Sequence, residues 1–318
     1  MSSSLAKSLG LRLFYAVLSL LFISLVTFLA DEVAPGDQAT VLAGEKASLQ
    51  TVLRLRDQLG LNRPWPVRYG EYLGNVAQGD FGKSFHGTKE PVVDIVARTL
   101  PMTSLVALCA IILAAMIGIV LGTIAAIKQN GPVDRSVLVV STLGVTIPTF
   151  VLAPVFVKIF AEHFDVLPGQ WASELAGPVW MYLIMPVVIL AARPAAQITR
   201  LCRASMIETL QQEFIKLARA KGVPPVRLFI KHGLRNAILP VVTAIGTNFG
   251  FLLTGSFIIE TAFRLPGIGA TAIESIKKGD TPVIQATVLI AGALFVLINL
   301  LVDLALPILD PRIREAQV

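Results

Sequence analysis

Six stretches of this 318-residue chain are long, apolar and almost free of charge: 13–30, 99–127, 136–157, 175–192, 236–259 and 281–302. A helix rises about 1.5 Å per residue, so roughly 20 apolar residues cross a hydrocarbon layer of about 30 Å. Each stretch therefore predicts a transmembrane helix. The fourth carries Pro178 and Pro186, which a membrane helix tolerates when its neighbours satisfy the freed carbonyl, and a kink is expected near Pro186. The first follows Lys7 and Arg12 as the core of a signal peptide would. Its apolar run exceeds the roughly 7–15 residues of a signal core and Leu29-Ala30-Asp31 offers no cleavage site, so a retained anchor is expected.

Two polar segments are too long to be simple connectors. In 31–98, Tyr69, Tyr72, Leu73 and Val76 recur at helical spacing, with Pro66 ahead and Gly79 behind, which predicts an amphipathic helix. That segment either offers a docking surface or packs back on its own spans. In 193–235, Ile207, Leu210, Phe214, Leu217 and Ala218 predict a second helix that stops at Gly222 before Pro224-Pro225. A further short helix is expected over 226–232, before Asn236 opens the fifth span. The shape is a helix-turn-helix between two membrane helices; a basic helix lying flat on anionic lipid is the competing reading.

Composition agrees with the membrane assignment: 54% hydrophobic against 15% charged residues, with mean hydropathy +0.73, against roughly 25% charged in a soluble domain. The net charge of +6 is unevenly placed. The N-terminus, the 128–135 loop, 193–235 and the C-terminal tail together hold fifteen basic and five acidic residues; the opposite side holds twelve and fifteen. Lys and Arg resist translocation, so both termini are expected in the cytoplasm. The basic excess then records topology and requires no nucleic-acid partner.

Enzymatic motifs fail on context. Gly82-Lys83-Ser84 ends like a phosphate-binding loop, but Ala77 stands where its first glycine belongs. Gly267-Ile268-Gly269-Ala270-Thr271-Ala272 matches a dinucleotide fingerprint with no strand before it. Cys109 and Cys202 make no redox or disulfide pattern, and His86, His163 and His232 have no metal-ligand spacing. No nucleophile and base meet at one depth, so neither a catalytic residue nor a bound cofactor or metal is expected on this chain. Gly118 and Gly122, and again Gly246 and Gly250, stand four apart as in close helix contacts. Asp303, one turn after Asn299, is the sole carboxylate expected within the membrane region, either snorkelling or facing a path. No ladder of charges for ion coupling is visible.

The polar strings carry a resemblance. Glu213-Phe214-Ile215-Lys216-Leu217-Ala218-Arg219-Ala220-Lys221-Gly222, then His232-Gly233-Leu234-Arg235-Asn236-Ala237-Ile238-Leu239-Pro240, is similar to the EAA loop of binding-protein-dependent ABC importers in its peptide-permease form. Leu59-Gly60-Leu61-Asn62-Arg63-Pro64, Gly79-Asp80-Phe81-Gly82-Lys83-Ser84-Phe85, Leu265-Pro266-Gly267-Ile268-Gly269, Gly279-Asp280-Thr281-Pro282, Asn299-Leu300-Leu301-Val302-Asp303 and Leu309-Asp310-Pro311-Arg312-Ile313-Arg314 extend it over nearly the whole chain. In order, they resemble the B-type subunit of dipeptide and oligopeptide importers. Lys216 and Leu217 depart from the general EAA consensus, as Gln38 does from a usual proline.

The resemblance implies an all-α integral membrane protein with six transmembrane helices, the type I ABC importer permease fold and a partly helical external loop domain. It divides the chain into an N-terminal helix (1–30), the external domain (31–98), a permease core (99–307) holding the coupling segment 193–235, and a cytoplasmic tail (308–318). Implied partners are a second homologous permease subunit, two ATPases that carry ATP and Mg, an external solute-binding protein, a peptide substrate and bilayer lipid of a bacterial inner membrane. Coupling to the ATPases falls to Glu213, Ala218, Arg219, Ala220, Lys221, Gly222, Arg227, His232, Arg235 and Asn236. Asp80, Phe81, Gly82 and Ser84 are assigned to an external docking site or cap, and Asn248, Asn299 and Asp303 to the path or an interface. Nickel chelates, glutathione and oligosaccharides are alternative cargoes of the same importer type, and an ion-coupled secondary carrier is the rival from another class.

Overall fold

A computed structural model describes residues 3–33, 38–44, 47–172 and 177–309. The Pro35-Gly36-Asp37 run, the start of the fourth apolar stretch at 173–176 and tail residues 310–318 lie outside the described residues. Regular structure among the described residues is helical, apart from one antiparallel bridge between Lys83 and Pro91. The helices are α1 (Ser3–Val33), α2 (Gln38–Ala43), α3 (Leu49–Gln58), α4 (Trp65–Ala77), α5 (Val92–Ile127), α6 (Pro132–Thr146), α7 (Thr149–Phe156), α8 (Val179–Leu210), α9 (Glu213–Ala220), α10 (Pro225–Arg227), α11 (Arg235–Gly255), α12 (Phe257–Ala262), α13 (Ile268–Lys278) and α14 (Thr281–Leu309). Five continuous helical stretches are long and apolar enough to cross a membrane, and α6 with α7 makes a sixth if that bent pair is one span.

Four sequence expectations are corrected. The stretch 136–157 is not one straight helix, because the chain turns by 97° between α6 and α7. Pro148 disfavours helical geometry in the residue before it, and Ile147 is extended. The fourth span does not stop at 192: α8 runs helical through Pro186 and Pro194 to Leu210. The helix expected on one face from Ile207 to Ala218 is split at Gln211-Gln212. Ile207 and Leu210 pack with Met206 and Ala237, while α9 starts in a new phase that buries Ile215 and Ala218. Nor does 226–232 form a separate helix; α10 continues through a π-helical turn (Leu228–Leu234) into α11.

Close backbone approach sets the bundle's register. A Cβ at Gly118 would meet Ile198 Cγ2 at 2.5 Å, and one at Gly122 would meet the Thr199 carbonyl at 2.7 Å, so α5 and α8 run parallel with a constant offset. Around that seam Val106, Ala110, Ile111 and Ala114 of α5 share a core with Ile189, Ile198 and Cys202 of α8. Gly246 and Gly250 admit Val302 and Phe295 from the antiparallel α14. Helix α1 packs along the other side of α14, antiparallel: Ile23 fills the space over Gly292 and Arg12 pairs with Asp303 at 3.5 Å. Its remaining surface, including Phe14 and Phe22, is exposed apolar side chain of the kind lipid covers.

The predicted amphipathic helix is α4. Its face packs Tyr69 and Tyr72 around Phe28 of α1, with ring centroids 5.4 and 5.9 Å away. Arg68 pairs with Glu32, and the Ser24 and Tyr69 hydroxyls share a hydrogen bond of 2.8 Å.

Candidate functional site

At the end where α1 begins and α14 finishes, α9 packs through Ile215 and Ala218 onto Leu228, Leu210 and Val223. The helix closes in a Schellman turn: Gly222 N–H donates to the Arg219 carbonyl at 3.0 Å and Val223 N–H to the Ala218 carbonyl at 3.2 Å. Gly222 has φ +76°, a left-handed conformation that side chains rarely adopt, and the space around its Cα is open. Outward from the chain the segment presents Phe214, Leu217, Val226 and Ile230 beside Arg219, Lys221 and Arg227, all exposed. An apolar patch set among cations is the composition of a protein contact surface.

Of the residues expected to couple, Glu213, Arg219, Ala220, Lys221, Gly222, Arg227, Arg235 and Asn236 lie exposed on this end and His232 is half-buried. Glu213 pairs with Lys216 at 2.7 Å, and Asn236 donates to the His232 carbonyl at 2.6 Å. Ala218 is the exception. It faces inward, so its small side chain serves the fit of α9 against its own chain rather than a partner.

A second feature is a cavity of about 630 Å³ between α8, α11 and the start of α7. Its polar lining is Arg193 and Gln197 of α8, Thr243, Thr247 and Asn248 of α11, and Thr149; Phe251 and Leu252 supply apolar wall. Asn248 is thus the one expected path residue that reaches it. Asn299 donates to the Phe295 carbonyl at 2.9 Å inside the α11–α14 seam. Asp303 is half-exposed and pairs with Arg12.

The loop after α4 packs back on its own spans. Asp80 accepts from Gly82 N–H at 2.8 Å. Phe81 enters the cluster of Val92, Ile268 and Val283. The buried Ser84 donates to Asp280 at 2.5 Å, Phe85 N–H donates to the same carboxylate, and His86 bonds the Lys278 carbonyl. Nearby, the Tyr72 hydroxyl is buried with no hydrogen-bond partner among the described residues, and burial, reinforced by Tyr69, pushes its phenol up to about 12.

Asp303 is not the only carboxylate inside the bundle. Glu260 is wholly buried and accepts from Thr103 (2.8 Å), Ser256 (2.6 Å), Gly269 N–H (2.8 Å) and Ala270 N–H (3.1 Å). It thereby satisfies the N-terminus of α13, where a helix favours negative charge. The two glycines of the discarded dinucleotide match leave room for this packing: a Cβ at Gly267 would lie 2.3 Å from Glu260 Oε2, and one at Gly269 would lie 2.3 Å from the Phe257 ring and 2.9 Å from Glu260 Oε2. Asp134, also buried, takes a two-pronged pair from Arg203 at 2.5 and 2.7 Å. Sequence reading missed Glu260, Asp134, Arg203 and the cavity role of Arg193. The partners of Glu260 lie as far as 157 residues away, and no spacing rule reaches that distance.

A bundle of membrane-length helices around an open, partly polar cavity, with an apolar and cationic patch at one end, is the build of a transport subunit. The chain belongs to the family of binding-protein-dependent transport system inner membrane components, which residues 118–315 match, while residues 5–107 match that family's N-terminal part. It is therefore a multi-pass inner-membrane component of an ABC transporter. It is 36% identical over 306 residues to a probable peptide ABC transporter permease of Sinorhizobium fredii, covering 95% of this chain and 97% of that protein. It is also 36% identical over 303 residues to the glutathione transport system permease of Pectobacterium atrosepticum, with 95% and 97% covered, and to that of Escherichia coli K12 at the same values. A solved amino acid ABC transporter superposes with TM-score 0.47 at 18% identity, covering 69% of this chain and 94% of that one.

Proposed function

We propose that this chain is one of two permease subunits of an ATP-driven importer and forms half of a path for short peptides delivered by an external solute-binding protein. The reading is carried by the exposed face of α9 and α10, which stands at the basic end of the molecule where cytoplasmic ATPases would meet it. Both chain ends then lie in the cytoplasm, and the segment around Ser84 outside. Peptide and glutathione permeases among the relatives support the cargo class, glutathione being itself a tripeptide.

In this mechanism the chain performs no chemistry. ATP and Mg bind the partner ATPases, whose closure pushes α9. Ala218 and Ile215 lock α9 onto Leu210 and Leu228, so the push is delivered to the ends of α8 and α11 together. Those two helices wall the cavity, and their joint tilt exposes it alternately to either side.

The test is uptake of a radiolabelled tripeptide by proteoliposomes holding this chain, the sister permease, both ATPases and the binding protein. Gly222→Arg is expected to abolish ATP-dependent uptake while the chain still inserts, since the left-handed backbone at φ +76° strains any side chain in the turn that ends α9 and the arginine would project into the open space where an ATPase would sit. Undiminished uptake by that variant overturns the coupling role. Uptake by the lone chain under an ion gradient, without ATPases, would establish a secondary carrier instead.

A further inference from the structure

We propose, resting on the peptide-import reading, that Arg193 is a recognition residue within the path and binds the carboxylate of the passing substrate. Its depth comes from its neighbours. Ala192 packs on Gly144 of α6 and Ala195 on Gly118 of α5. Gly118 is nine residues before the end of α5 at Ile127, or about 14 Å along the axis, roughly half of a hydrocarbon core. An ionised guanidinium at that depth is costly unless it faces protein charge or a watery cavity. No ion pair or side-chain hydrogen bond holds Arg193 among the described residues, no acidic side chain is in the cavity lining, and Arg193 itself is exposed to the cavity.

The surroundings suit a ligand with one carboxylate and several amides. Gln197 stands one helical turn beyond Arg193, with Thr243, Thr247 and Asn248 on α11 as neutral partners. The Asn248 amide NH2 donates to the Ala244 carbonyl at 2.8 Å, which leaves its oxygen to accept. Pro194 and Pro240 also line the cavity. Pro194 lacks the N–H that the Leu190 carbonyl four residues earlier would use, and Leu190 itself lines the cavity, so this wall offers a backbone acceptor for a peptide N–H. The volume falls within the about 300–1,000 Å³ of small-ligand sites. A planar guanidinium grips a carboxylate with two parallel hydrogen bonds, a geometry lysine does not reproduce.

The experiment compares trialanine with trialanine amide in the assembled importer in proteoliposomes, reading initial ATP-dependent uptake for wild type, Arg193→Gln and Arg193→Lys. Dividing each variant by wild type cancels the binding protein's own preference. Arg193→Gln is expected to slow trialanine at least about tenfold and to leave the amide nearly unchanged, with Arg193→Lys between. Equal slowing of both peptides overturns the proposal. A second readout needs no peptide: Thr247→Cys, with Cys109 and Cys202 replaced by alanine, is labelled in the same importer by an anionic and by a cationic methanethiosulfonate. Adding Arg193→Gln is expected to lower the ratio of anionic to cationic labelling rates severalfold. An unchanged ratio means that a sister-subunit acid neutralises Arg193, which overturns the proposal. If wild type takes up neither peptide yet the ratio falls, the peptide reading fails and an anion-selective path stands.

Discussion

Glu260 is a carboxylate buried with no paired cation among the described residues, and it survives because four donors surround it, two of them from the backbone of α13. Truncation leaves those donors in an apolar interior, at about 1–3 kcal/mol for each unsatisfied group. Glu260→Ala is therefore expected to lower the melting temperature in detergent sharply, and Thr103→Val, which removes one hydroxyl and its bond from Ile268 N–H, to lower it less. An unchanged melt for Glu260→Ala would show that the network contributes nothing. Tyr72 presents the opposite case. Its hydroxyl is buried with no hydrogen-bond partner among the described residues, so Tyr72→Phe is expected to match or exceed wild-type stability. A clear loss on melting would reveal a partner for that hydroxyl. The raised phenol carries a pH signature with the same origin. Burial favours the neutral ring in the folded chain, so its contribution is complete below the ordinary phenol range and is lost as pH climbs toward about 12.

Between elements, the α5–α8 seam and the Asp134–Arg203 pair do different work. The seam depends on absent side chains: the Thr199 carbonyl would lie 2.7 Å from a Cβ at Gly122, and a backbone atom cannot rotate away. Gly122→Leu is expected to force the helices apart, and loss of folded chain on size-exclusion chromatography would report it; a monodisperse, wild-type elution would contradict the register described. The pair ties the start of α6 to the end of α8, with Asn130 N–H as a further donor to Asp134. Breaking a mostly buried pair from one side costs about 3–5 kcal/mol, because a charge is left behind. Asp134→Ala is expected to destabilise by that order, and Asp134→Ala with Arg203→Met to recover part of it. Full additivity in thermal melts would show the two groups to be uncoupled. The α6–α7 bend was not read from the chain, where 136–157 stood as one span: a proline such as Pro148 does not by itself distinguish a tolerated kink, as at Pro186 in α8, from a turn of 97°.

Across the whole molecule, residues 195 to 250 apart close the structure: Ser84 and Phe85 meet Asp280, and Thr281 donates to Asp31 at 2.8 Å. Asp280→Ala is expected to free the 79–91 segment for proteolytic cleavage while the membrane helices stay protected; cleavage no faster than in wild type would mean that Phe81 alone holds it. The expected helices of membrane length, α4, the stop at Gly222 and the family strings could all be read from the chain, because each is a local signal. Hydrophobic length, a 3.6-residue period and a glycine with positive φ are properties of neighbouring residues. Which charges are buried and which face the cavity could not be read that way. Arg193 and Arg203 both sit in one polar-looking run, yet one lines a cavity and the other grips Asp134. Their difference is set by which helix packs against each side of α8, and the free energy that decides it belongs to contacts between residues dozens of positions apart.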